Sequence, residues 1–133
     1  MDNFIQKFHS GWAYLVLFIL IITLLNSLVG WISKKEFTSK DQKIALFGLI
    51  FTHIQLLVGL VLYFIPFQKE KLLPTHNIDH PYVNILAVAL ITIGWVKHKK
   101  ETTSEAKFKT ITVLYGVGLI LIIARIPWHL LFV

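Results

Sequence analysis

Four long apolar stretches, residues 12–31, 44–67, 81–96 and 108–133, contain no aspartate or glutamate. A helix of about 20 residues crosses a ~30 Å hydrocarbon core. Three of the stretches reach that length, and the third does so by borrowing a turn from residues 76–80. Hiding them in a soluble fold would need a large interior. With 133 residues, 56% apolar and only 15% charged, the chain is too small to supply one. The pattern predicts an all-α integral membrane protein. A single four-helix transmembrane domain spans 1–133, with helices roughly at 10–33, 42–67, 79–97 and 107–131. Short connections favour antiparallel neighbours, hence an up-down-up-down bundle.

The charges lie between the spans. Lys34, Lys35, Lys40 and Lys43 fill the first connection, and Lys97, Lys99, Lys100, Lys107 and Lys109 crowd the third. The second sets Lys69 and Lys71 against Glu70 and Asp79. The positive-inside rule puts connections one and three in the cytoplasm, so both termini lie outside. Tryptophan gives the same topology independently, with Trp12 and Trp128 at the outer interface and Trp31 and Trp95 at the inner one. The net charge of +6 therefore reads as a membrane signal, with no nucleic-acid partner. The first span, ending in Lys34-Lys35 without a small-residue cleavage site, reads as a retained helix rather than a cleaved signal. The expected location is a bacterial inner membrane, multi-pass.

Cysteine is absent. That excludes disulfides, thiolate metal sites, iron–sulfur clusters, cysteine nucleophiles and covalently attached c-type haem. No carboxylate lies within the spans and no serine sits at a nucleophile elbow, which argues against hydrolysis. The missing carboxylate also argues against proton or ion transport.

Polar side chains inside a membrane are costly without a partner, so their positions are informative. At 100° per residue, His9, Trp12, Thr23, Asn26, Ser27 and Gly30 share one face of the first helix. His80, Asn84, Ala87, Gly94 and His98 share a face of the third, and Gly118, Arg125 and His129 one of the fourth. On the second, Gly48, Thr52, Gln55 and Gly59 form a stripe from which His53 points away. By rise per residue, His9, His80 and His129 reach one level near the outer interface, with Arg125 about a turn further in and His53 near mid-depth.

Imidazoles on different helices suit a haem iron, which takes axial ligands from opposite sides. In an up-down-up-down bundle the first and third helices are diagonal, so His9 and His80 form the first candidate pair. His53 is the third candidate, and only two of the three are expected on iron. Arg125, the sole arginine, suits a haem propionate because its fork binds carboxylates bidentately. Plainer readings stand beside these. His9 and His129 fit interfacial polar residues next to tryptophan, and Arg125 fits snorkelling to headgroups. Asp79-His80-Pro81 fits a helix start, while His98 reads as a solvated member of the lysine run and His76 as a loop residue. Copper or zinc on His9, His80 and His129 is a weaker metal alternative, lacking a tight ligand spacing.

Several motifs resemble a group of small four-helix membrane proteins of Bacteroidetes labelled cytochrome b. They are His9-Ser10-Gly11-Trp12 opening the first helix, and residues 52–60 (Thr52-His53 through Gly59-Leu60) on the second. His80 with Leu90-Ile91-Thr92-Ile93-Gly94 on the third continues the match, as do Lys107-Phe108-Lys109-Thr110 and Ile126-Pro127-Trp128 on the fourth. The resemblance covers nearly the whole chain. It implies a b-type haem protein of the inner membrane and points to His9, His53 and His80. The group's pattern carries a basic residue beside that tryptophan, whereas Ala13-Tyr14 follows here, so no anion contact is assumed there.

The leading expectation is thus a haem b protein that transfers electrons, exchanging them with quinol or with subunits of a larger respiratory complex, in a homo- or hetero-oligomer. It would be at most a redox component, with no hydrolytic site. The alternative from another class is a cofactor-free structural or accessory subunit of a larger inner-membrane assembly.

Overall fold

A computed structural model describes residues 2–64 and 74–125, with side chains described for residues 4, 7–61 and 82–124. The described chain is helical: α1 (Asp2–Ile32), α2 (Ser39–Phe64), α3 (Pro74–Lys100) and α4 (Ser104–Arg125). Residues 65–73 and 126–133, with the expected Trp128 and His129, lie outside the described residues.

Local chemistry sets the helix ends. α1 stops in a Schellman motif, with Lys34 left-handed at φ 57°. The amide of Lys35 donates back to the Gly30 carbonyl at 3.0 Å, and that of Lys34 to Trp31 at 3.3 Å. Thr38 and Asp41 form a capping box that starts α2, the Thr38 amide donating to Asp41 Oδ2 at 2.8 Å. Thr103 caps α4 by accepting the Ala106 amide at 3.1 Å. The third helix, expected to begin near Asp79, begins at Pro74. Proline is pre-set for a first helical position, whereas Pro81, inside the helix, lacks the amide that would bond the Asn77 carbonyl and crowds that carbonyl with its ring.

Each helix packs on its sequence neighbours, and α1 also packs on α4. The result is an antiparallel square with α1 opposite α3 and α2 opposite α4. Both lysine-rich connections lie at one end, and Asp2 and Arg125 at the other, here termed the lysine end and the terminal end. The core joins Val16 and Leu20 of α1, Ala45 of α2, Ile91 of α3, and Ile111, Tyr115 and Leu119 of α4. Tyr115 is central. A Cβ on Gly48 would lie 3.4 Å from its ring and one on Gly94 3.2 Å, so two glycines on opposite sides make room for the phenol. Large apolar residues such as Phe18, Leu25, Leu57, Ile93 and Ile120 cover the outside instead. Among the described residues, Lys7–Ile32, Ser39–Val61 and Ser104–Ala124 are long and apolar enough to cross a membrane. An all-helical fold with so apolar an exterior meets lipid, and the chain is a membrane protein.

Candidate functional site

The small and polar stripe of α2 faces α1, as helical periodicity requires. Gly48 approaches Thr23 and Leu20, and Gln55 Nε2 donates to the His9 carbonyl at 3.0 Å. A Cβ on Gly59 would lie 3.3 Å from His9 Cε1, so the glycine leaves the space that the imidazole edge fills. His9 is half-buried there. Gln55 Oε1 is buried without a hydrogen-bond partner, an acceptor left over beside His9. One turn further along α1, Trp12 stacks on Phe51 at 4.7 Å and donates its indole N–H to the Phe51 carbonyl at 3.0 Å.

The packing register gives the level of His80. Gly30 of α1 meets Phe108 of α4, and Leu114 of α4 meets Gly94 of α3. His9 lies about six turns from Gly30 toward the terminal end. From Phe108 to Leu114 and then from Gly94 to His80 is also about six turns. His9 and His80 therefore stand at one level on diagonally opposite helices. Arg125, the last residue of α4, stands about one turn nearer the lysine end. The side chains of His80 and Arg125 lie outside the described residues. Among the described side chains of α1, none before Val16 is buried, so no apolar core residue of that helix occupies the His9 level.

His53 is elsewhere. It is exposed on the α2–α3 seam, with Nε2 at 2.9 Å from Thr92 Oγ1. Gly59, the partner of His9, lies six residues further along α2, about 9 Å in rise and on another face. The structure thus does not bring His9 and His53 together. Among the described residues, no three His, Asp or Glu side chains are grouped as metal ligands.

Two residues at the lysine end are more important than their sequence neighbourhood suggests. His98, read from sequence as solvated, is fully buried. Its ring lies against Trp95 and Phe37, Nδ1–H donates to the Trp95 carbonyl, and Nε2 accepts from Gln42 Nε2 at 3.4 Å. Both nitrogens are thereby used in the neutral form. Burial pushes its pKa below the ordinary imidazole value and the charges of Lys107 and Lys99 act the same way, against carbonyl contacts from Trp95 and Gly94. The signal was its place on the Ala87–Gly94 face, which the adjacent lysines masked.

Asp41 is the second. Its carboxylate is 1% exposed and accepts from Asn26 at 3.0 Å, Lys35 at 3.1 Å, and the Thr38 amide and hydroxyl. The spacing Thr38-x-x-Asp41 was the legible signal, as a capping box. Nearby, the Phe37 amide donates to Ser104 Oγ at 2.8 Å, tying the α1–α2 connection to the start of α4.

The chemistry divides by end. The lysine end is closed by side chains that satisfy one another. The terminal end offers a half-buried imidazole, a buried amide oxygen and a second histidine at the same level. Compared with protein families, curated proteins and solved structures, the chain shows no match.

Proposed function

We propose that the chain is a b-type haem protein of a bacterial inner membrane, held by His9 of α1 and His80 of α3. One observation carries this: half-buried His9 stands at the level of His80 on the diagonal helix, where ligands on opposite sides of a macrocycle must stand. Gly59, which lets the His9 ring lie close against α2, and the unsatisfied acceptor Gln55 Oε1 beside it support the reading. Such a haem supplies one-electron redox chemistry when bound. The chain's own part is to present imidazoles from two helices and to place Arg125 one turn inward as a carboxylate partner. His53, the third candidate, has Nε2 engaged by Thr92 and is ranked behind the other two. In this reading the electron-exchange partner would be quinol or a respiratory-complex subunit.

The same reading makes all four helices spans, with the lysine connections cytoplasmic and both termini outside. Because the chain has no cysteine, single cysteines replacing Lys40 and Gly11 test this directly. An impermeant thiol reagent should label the second from outside and the first only from the cytoplasmic side.

The deciding experiment is a reduced-minus-oxidised visible spectrum of the protein purified in mild detergent. A sharp α-band that His9→Ala and His80→Ala each abolish, with helicity retained, is expected. A colourless protein from haem-replete cells, with companions still bound, would sink the haem reading and leave the cofactor-free accessory subunit.

A further inference from the structure

The last turn of α3 carries three lysines with different surroundings. Lys99 lies over the Trp95 ring, its ammonium 5.6 Å from the ring centre. Lys97 and Lys100, three residues apart and therefore on one face of the helix, line the end of an apolar groove of about 310 Å³. Thr92, Ile93 and Val96 line the rest of it. Ile93 and Val96 are exposed, so the groove runs along the outside of the bundle, on α3 alone. Thr92 adds little polarity there, because its hydroxyl donates to the Val88 carbonyl at 2.7 Å and lies 2.9 Å from His53 Nε2.

Other lysines of this end are engaged within the protein. Lys35 pairs with Asp41, and Lys107 donates to the His98 carbonyl at 3.1 Å. By contrast, no carboxylate lines the groove, and among the described residues Lys97 and Lys100 have no ion-pair partner. Two neighbouring ammonium groups without a counter-charge favour an anion between them. Gln42 of α2 meets His98, so both lysines stand near the level of Lys40 and Lys43, where α2 leaves the hydrocarbon. From Lys100 to Thr92 the groove follows about 12 Å of helical rise, close to the ~15 Å of hydrocarbon in one leaflet. The occupant that fits has a negative head and a hydrocarbon tail. A soluble anion leaves the apolar wall uncovered, and a zwitterionic headgroup brings its own cation to the lysines.

We propose that Lys97 and Lys100 hold the phosphate of an anionic phospholipid, one of whose acyl chains lies along Ile93 and Val96. The site does not depend on haem.

The test is native mass spectrometry of the purified protein released from mixed micelles with equal amounts of phosphatidylglycerol and phosphatidylcholine bearing the same acyl chains. The expected result is one retained phosphatidylglycerol, which a photoactivatable acyl chain crosslinks to residues 92–100. Lys97→Gln with Lys100→Gln should weaken its retention about 30-fold, the effect of two lysines at a membrane surface. Lys40→Gln with Lys43→Gln removes the same charge from the same end, away from the groove, and should leave the lipid in place. All four lysines are exposed, so neither pair of substitutions disturbs the core. Equal retention of the two lipids overturns the proposal. Equal loss in the two double variants also overturns it, by assigning the effect to the diffuse field of the lysine end. Displacement by soluble glycerophosphoglycerol as effective as that by the intact lipid leaves the acyl chain no part and overturns it too. A dimer that retains no lipid assigns this face to a second copy, with the same result.

Discussion

Tyr115 donates its phenolic hydrogen to the Ala45 carbonyl at 2.8 Å, joining α4 to the helix diagonally opposite. In a four-helix square the diagonal is the longer span, and a long side chain seated between two glycines bridges it here. The carbonyl keeps its own helical bond, so removing the hydroxyl leaves no acceptor wholly unpaired. Tyr115→Phe should therefore cost about 0.5–1.5 kcal/mol of unfolding free energy with helicity unchanged. Reversible unfolding in mild detergent, followed by circular dichroism, measures it.

Gly30 faces a more severe contact. A Cβ there would lie 2.5 Å from Cε1 and Cζ of the buried Phe108 ring. Gly30→Ala should cost about 1–3 kcal/mol through overpacking, despite alanine's better helix propensity. Adding Phe108→Leu should recover part of that loss, which a double-mutant cycle reads as coupling. Gly11→Ala is the control, because its Cβ would meet nothing within 4 Å.

The two partners of the Lys35–Asp41 pair should behave unequally. Lys35 is 47% exposed, and Lys35→Ala should change stability by under about 1 kcal/mol. Asp41→Ala removes the capping box and leaves the Asn26 and Thr38 donors without their acceptor, for a loss of about 1–3 kcal/mol. Equal losses in the two variants' unfolding midpoints would overturn this assignment.

His98 gives the bundle a pH dependence. Its folded pKa lies below the ordinary value of about 6.5, so the unfolded chain binds the proton more readily. Its contribution is complete above that value, falls as pH drops through it, and levels off below the folded pKa. The melting temperature should decline on acidification from pH 7, and His98→Asn should flatten that part of the profile. A decline of equal size in the variant would assign it to other groups.

Helical periodicity carried much of this arrangement. The stripe Gly48–Thr52–Gln55–Gly59 meets α1, His53 turns to a second neighbour, and the Ala87–Gly94 face is buried, all readable at 100° per residue. Position in depth and local crowding were less legible. His98 sits between Lys97 and Lys99, and charge density argued for solvent, while the Phe37 and Trp95 rings that cover it come from packing. The partner of His53 was equally hidden, because Thr92 is one of several threonines and only the α2–α3 register selects it.

Several of the contacts that close the lysine end cross between one half of the chain and the other. Phe37 to Ser104, Gln42 to His98, Gly30 to Phe108 and Ala45 to Tyr115 each join the α1–α2 hairpin to the α3–α4 hairpin. None of these contacts is made by the connecting residues 65–73. The protein is in effect a heterodimer written as one polypeptide, and its two hairpins, expressed as separate chains, should find each other in the bilayer.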